Sequence, residues 1–197
     1  QQLLKRFDIP VYTKQGTWRE IQDKLIVPKN QLIELTKGSL TLGNLIVEPF
    51  ALSHDAADPI GINVFAGKDK ATVVTDTGVI SDSILRRMDD TTLLVLEANY
   101  DPHMLRFGPY QPFLKQRVAS DEGHLSNEMA AQALLMMNRP DFMQVILAHR
   151  SENNNNAVLV TQTIGKMLVD GGVRIGPEMK LQHGQPNEIV SMKSVKR

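Results

Sequence analysis

Three apolar runs in this chain close on residues that can bind a metal. Residues 47–55 pass through Phe50 and Leu52 to His54, residues 71–78 through Val73 and Val74 to Asp76, and residues 144–152 through Val145, Ile146 and Leu147 to His149. Imidazole nitrogens and carboxylate oxygens are ligands for Zn2+ or Mn2+, and an aspartate between two histidine-bearing strands can bridge two ions through its two oxygens. Any one of these histidines taken singly is more simply a polar loop residue at a strand end. Three together make a constellation, although three ligands do not complete a two-metal site.

Such ligands need rigid elements beneath them. The run 145–148 is too short for a helix and rich in β-branched residues, so it reads as a buried strand that presents its chemistry at the carboxyl end. The other elements follow from periodicity and punctuation. A helix covers 1–7 and a strand 9–12, and Thr17 N-caps a helix to about 25, ended by Pro28. Strands 31–36, 40–42 and 45–52 form an antiparallel meander broken by Gly38 and Gly43. Strands 62–66 and 71–75 flank the turn Gly67-Lys68-Asp69-Lys70 as a hairpin. From Ser81 the pattern alternates: helix 81–88, strand 92–96 ending at Glu97, broken helix over 101–118 around Gly108, a Ser126-capped helix to 137, the 145–148 strand, and a helix over 156–169 stopped by Gly171-Gly172. Short strands are expected near 173–175, 181–183 and 188–192. The fold class is α/β.

A chain of 197 residues with 42% hydrophobic content can bury a substantial core, and one domain over 1–197 is expected. Lys plus Arg equals Asp plus Glu at 22 each, so any binding of a polyanion depends on local patches rather than on the global field. With no cysteine there is no disulfide framework and no thiolate chemistry, which suits a reducing cytoplasm. No apolar run approaches a membrane span and no signal-peptide pattern is present, so the expectation is a soluble cytoplasmic protein without membrane partners.

Five segments together are recognisable: Phe50-Ala51-Leu52-Ser53-His54-Asp55-Ala56, Thr75-Asp76-Thr77-Gly78, Leu96-Glu97-Ala98-Asn99-Tyr100-Asp101, Ser120-Asp121-Glu122-Gly123-His124-Leu125-Ser126-Asn127, and Leu147-Ala148-His149-Arg150-Ser151-Glu152-Asn153-Asn154. In order and spacing they resemble the metallo-β-lactamase superfamily, in particular the bacterial branch encoded beside the Wal/Vic cell-wall two-component regulator, whose members look like metal-dependent nucleases. The resemblance implies an αββα sandwich, two divalent metal ions (Zn or Mn), and DNA as substrate, attacked as by an exonuclease. It implies that His54 binds one metal, Asp76 bridges the pair and His149 binds the other. A histidine placed like His124 contacts the substrate phosphate or protonates the leaving oxygen in the phosphodiesterase branches. Its setting suits that role, since Gly123 permits close approach and the helix at Ser126 directs free N–H groups toward an anion.

Around this set, Glu97 is expected to orient His124 or a neighbouring group. Lys115 and Arg117, with Arg106 upstream, are candidates for holding phosphates near His124. His103 and His183 are assigned to surface structure, and Arg150 with the 153–156 run to capping the following helix.

The superfamily's His-x-His-x-Asp-His loop is not among these residues. In family members it lies just upstream of a helix resembling 1–7, so the expectation is an amino-terminally incomplete sandwich carrying half of a site. Its uncovered strands over 31–52 would be met by self-association or by a bound amino-terminal fragment. Two alternatives stay open: hydrolysis of a small ester or thioester on the same scaffold, and a catalytically inert interaction module.

Overall fold

The structure is a computed structural model and describes residues 2–28, 30–35, 38–186 and 188–191. Its elements in chain order are α1 (Gln2–Arg6), β1 (Val11–Thr13), α2 (Gln15–Ile21), β2 (Leu32–Glu34), β3 (Leu40–Leu42), β4 (Leu45–Ala51), β5 (Ile60–Ala66) and β6 (Asp69–Val74). They continue as α3 (Asp82–Met88), β7 (Leu93–Glu97), α4 (Pro102–Phe107), α5 (Pro112–Val118), α6 (Asn127–Met136), β8 (Met143–Ala148), α7 (Ala157–Asp170) and β9 (Met179–His183). Seven strands form one mixed sheet in the order β3-β4-β5-β6-β7-β8-β9, and β1 with β2 forms a separate two-stranded sheet.

The sheet has two halves. From β3 to β6 neighbouring strands are antiparallel; two-residue turns join β3 to β4 and β5 to β6, and the loop 52–59, which carries His54, joins β4 to β5. From β6 to β9 they are parallel, which requires the crossovers that carry α3, α6 and α7. Parallel strands are covered by their helices and so read as unbroken apolar runs, as 93–96 and 145–148 do. On the helix side, Val74, Leu94, Leu96, Met143, Val145, Leu147 and Met179 pack against Ile84 and Met88 of α3, Ala130 and Leu134 of α6, and Val160, Ile164 and Leu168 of α7. The opposite face is also apolar but less covered: Val47, Ile62, Val64, Val95 and Ile146 are half buried and Val73 is exposed.

This topology brings the candidate ligands together. β4 is antiparallel to β5, which is antiparallel to β6, so β4 points the same way as β6, β7 and β8. The carboxyl ends of β4, β6, β7 and β8 therefore share one edge of the sheet, where open α/β sheets place their ligands. His54, Asp76, Glu97 and His149 stand at that edge.

Four expectations about elements are corrected. Residues 31–36 do not join a meander: β2 pairs in parallel with β1, Val11 opposite Leu32, because α2 returns the chain as a crossover. Thr36 lies outside the described residues. Thr17 does not cap α2, which begins at Gln15 after Lys14; its hydroxyl instead donates to Asp58 O at 3.3 Å. The β5–β6 turn is two residues, not four, since Ala66 pairs with Asp69 and Gly67 supplies the positive φ of 62°. Residues 173–175 contribute only an isolated bridge from Ile175 to Met179, residues 188–191 form no strand, and Met192 lies outside the described residues. Ser81 and Ser126 do cap their helices, accepting from the N–H groups of Ile84 and Met129. No helix among the described residues is long and apolar enough to cross a membrane.

Candidate metal centre

His54 follows β4 on a short loop, and its Nδ1–H donates to Gly123 O at 2.9 Å. A carbonyl can only accept, so this bond fixes the tautomer and leaves the Nε2 lone pair free. Nε2 faces Asp76 Oδ1 at 3.8 Å and Asp55 Oδ1 at 3.5 Å. Asp55 is engaged on its other side by the guanidinium of Arg117, whose Nε donates to Oδ2 and whose Nη2 donates to Oδ1 at 3.0 Å. The hydrogen bond from Arg117 holds the Asp55 carboxyl below its ordinary range, with the positive charge contributing as well.

Asp76 follows β6 with φ of 60°, and His149 follows β8 with φ of 53°. Left-handed backbone at a non-glycine residue is uncommon and costs about 1–3 kcal/mol, a strain that gathers at functional sites. Here it turns both side chains back over the sheet edge. His149 Nδ1 lies 3.6 Å from Asp76 Oδ1, so this carboxylate stands between His54 and His149. The Asp76 loop is fastened from below. Buried Thr77 accepts from Ser53 N–H at 3.2 Å and donates to Val79 O at 3.0 Å, and Gly78 N–H donates to Ser53 O. A Cβ on Gly78 would collide with Ser120 O and Asp121 O, so glycine is what lets the Asp76 loop touch the loop leading to His124.

Glu97 organises the centre. It ends β7 fully buried, with Oε1 accepting from His124 Nδ1 at 2.7 Å and from His149 Nδ1 at 3.0 Å, and Oε2 accepting from Thr77 N–H at 3.1 Å. Burial pushes its carboxyl up, but the hydrogen bonds from the two imidazoles more than offset this and hold it below the usual carboxylate range. The same hydrogen bond raises His149 above its ordinary value against the effect of burial, with the charges of Glu97 and Asp76 adding to it. The rings of His54 and His124 lie 5.0 Å apart and those of His124 and His149 5.2 Å apart.

The donor chemistry fits a divalent cation. His54, His124 and His149 each commit Nδ1 to an oxygen acceptor and keep Nε2 available, the arrangement by which metal-bound histidines are held from behind. Ligand atoms of His54, Asp76 and His124 lie within 4.8 Å of one another, as do those of Glu97, His124 and His149. His124 thus stands between the two groups. Clefts open on both sides, one of about 360 Å³ bordered by Thr17, His54, Asp58 and Asp76, the other of about 600 Å³ bordered by His149, Ser151, Asn155 and Gln185.

Other sequence candidates fall as follows. Ser126 spends its acceptor on the α6 cap. Lys115 Nζ donates to Arg106 O at 2.8 Å, and Arg117 is paired with Asp55. His103 is exposed and lies against the Phe107 ring. His183 is half buried rather than on the surface, with Nε2 bonded to Thr161 Oγ1. Of the expected caps of α7, Asn156 of the 153–156 run does cap it, accepting from Leu159 N–H at 3.0 Å, while Arg150 does not, its Nη1 being buried without a hydrogen-bond partner among the described residues.

Residues that composition did not single out tie the centre together. The amides of Asn127 and Asn155, both buried, bond reciprocally at 3.1 and 2.8 Å, and Asn155 also donates to Ala98 O. Asn99 donates to His149 O at 2.7 Å. These amides lock the start of α6, which follows His124, to the loop that follows His149. In the sequence Asn99 and Asn127 stood only within the recognised segments, and Asn155 within the run assigned to capping.

Comparison with known proteins agrees with this architecture. The chain is 32% identical over 186 residues to exodeoxyribonuclease YycJ of Bacillus anthracis, covering 93% of this chain and 70% of that protein. It is 29% identical over 190 residues to exodeoxyribonuclease WalJ of Streptococcus pneumoniae, covering 94% and 70%. Among solved structures, the metallo-β-lactamase fold protein YhfI of Bacillus subtilis superposes with a TM-score of 0.60 at 15% identity, covering 88% of this chain and 62% of that one, a likeness of fold. Residues 2–149 match the family described as the β-lactamase superfamily domain, and with that match spanning the strands that carry Asp76, Glu97 and His149, the chain belongs to the metallo-β-lactamase superfamily.

Proposed function

We propose that this protein is a metal-dependent phosphodiesterase acting on DNA as an exonuclease, as the names of its YycJ and WalJ relatives describe for those proteins. The observation that carries the reading is the buried Glu97 carboxylate, which holds His124 and His149 by their Nδ1 atoms beside an Asp76 carboxylate that stands 3.8 Å from His54 Nε2 and 3.6 Å from His149 Nδ1. His54, Asp76 and His149 would hold two divalent ions, Zn2+ or Mn2+, with Asp76 as the shared ligand. Metal held there supplies Lewis-acid polarisation of a phosphoryl oxygen and a water acidic enough to attack at neutral pH.

The chain's own residues do the rest. His124, presented by Glu97, contacts the scissile phosphate or gives a proton to the departing oxygen. Lys115, Arg117 and the Ser126 hydroxyl would receive neighbouring phosphates. We further propose that the 197 residues alone cover the apolar second face of the sheet by self-association or by retaining an amino-terminal fragment.

The test separates ligand from catalyst. Asp76→Ala is expected to abolish hydrolysis of labelled DNA and weaken metal binding, whereas His124→Ala lowers turnover with bound metal, measured by elemental analysis, nearly unchanged. Equal loss of metal in both variants would remove His124 from the catalytic role. Cleavage of a small ester or thioester with no loss of DNA would overturn the nuclease reading.

A further inference from the structure

Residues 102–120 differ in charge from the rest of the chain. They hold Arg106, Lys115 and Arg117 and no Asp or Glu, in a protein whose acids and bases are equal at 22 each. Of the protein's one Trp, three Tyr and six Phe, they include Phe107, Tyr110 and Phe113. Folded, this stretch is α4 and α5. Leu105 and Val118, with partly buried Tyr110 and Leu114, pack against Tyr100 in a small satellite core that fixes both helices to the end of β7.

Phe107 and Phe113 take no part in that core. They are 66% and 71% exposed, which leaves two large apolar faces in water where burial would be favourable. A cation lies beside the Phe107 ring. The Arg106 guanidinium lies 5.3 Å from the Phe107 ring centre, and the His103 ring stands 4.6 Å from it. Lys115 Nζ donates to Arg106 O, tying α5 to the end of α4.

The path from these rings leads to the metal centre. Phe113 and Arg117 are four residues apart on α5, hence on one side of the helix and about 6 Å apart along its axis. Arg117 holds Asp55, the neighbour of His54, and Val118 O accepts from His124 N–H at 2.9 Å. Phe113 therefore stands one helical turn from Arg117, which holds the neighbour of His54.

We propose that Phe107 and Phe113, with Arg106 and Lys115, form a stacking platform for the unpaired bases of a DNA strand running into the metal centre. The proposal rests on the phosphodiesterase reading of that centre and adds the form of its substrate. Every base offers a π-face to an aromatic ring, and a cation beside the ring meets the backbone, so such a platform accepts any sequence but needs the strand unpaired. A duplex stacks its bases on one another and offers none to the rings.

The test uses a short fluorescein-labelled oligothymidylate and a labelled duplex, with binding read by fluorescence anisotropy in the presence of chelator so that nothing is cleaved. Phe107→Ala and Phe113→Ala are each expected to weaken single-strand binding by about tenfold and to leave duplex binding unchanged. Phe113→Trp should retain the affinity. Hydrolysis of thymidine p-nitrophenyl phosphate with Mn2+, a substrate that carries no strand for the platform to hold, should be unchanged in all three. Both rings are exposed, so the variants are expected to fold, and a melt checks it. Unchanged single-strand affinity in the alanine variants, or equal loss for single strand and duplex, would overturn the platform. A change in sedimentation in place of a change in DNA binding would overturn it in favour of a protein-docking face. If the rings prove to bind single strands while no phosphodiester is cleaved with any metal, the platform stands and the hydrolase reading of the centre falls.

Discussion

At the scale of single residues, the centre depends on which nitrogen of each histidine is occupied. Gly123 O takes Nδ1–H of His54, and Glu97 takes those of His124 and His149, so one buried carboxylate sets the direction of two rings. Groups that hold ligands from behind are typically worth 10- to 100-fold in metal affinity or activity. Glu97→Gln is therefore expected to lower turnover or Mn2+ affinity by roughly that factor, measured by steady-state kinetics together with calorimetric metal titration. An unchanged titration with unchanged turnover would show that the two imidazoles need no support. Glycine at 78 acts at the same scale through absence: only a residue without Cβ lets the Asp76 loop lie on the backbone of 120–121.

At the scale of elements, loops are joined to one another by buried amides. Asn127 and Asn155 satisfy each other, so removing one leaves the other buried with unmade bonds, which costs about 1–3 kcal/mol. Asn155→Ala is expected to lower the urea midpoint accordingly and to reduce turnover, because α6 and the His149 loop lose their link. A second element-level outcome concerns β9. Thr161 Oγ1 donates to Ala157 O, so it accepts from His183 Nε2–H, and the ring docks α7 on β9 in its neutral form. Burial, with Arg150 nearby, lowers His183 from its ordinary value of 6.5. The folded state then binds fewer protons than the unfolded chain, so this contribution to stability is complete above about pH 6.5 and is lost as pH falls through the lower folded value. His183→Gln is expected to flatten the acid limb of the stability profile, read as urea midpoints across that range; an unchanged limb would place the acid sensitivity elsewhere.

At the scale of the whole molecule, the seven-stranded sheet has unequal faces. One is sealed by α3, α6 and α7, while the other exposes Val73 and leaves Val47, Ile62, Val64, Val95 and Ile146 half covered. Apolar area left in water forgoes roughly 25 cal/mol per Å². The 197-residue polypeptide is accordingly expected to sediment as a self-associated species or with a retained fragment, checked by intact mass on the same sample. A stable monomer with a cooperative melt and no fragment would show that this face tolerates solvent.

What the sequence determined by itself is local. Three apolar runs ending on His54, Asp76 and His149, a strand ending on Glu97, and serine caps at 81 and 126 were legible because hydrophobic period and cap chemistry act between near neighbours. The motif spacing from 50 to 154 was enough to point to the superfamily. What only the tertiary structure decided is pairing. The period of a strand says which face is buried and not which strand lies beside it, so the parallel partnership of β1 and β2 escaped the sequence. The same limit hid the chemistry: that Glu97 serves both His124 and His149, that Gly123 O sets the His54 tautomer, and that Asn127 meets Asn155 all depend on contacts between residues 27 to 69 positions apart. Such contacts exist only after β4, β6, β7 and β8 have brought their carboxyl ends to one edge.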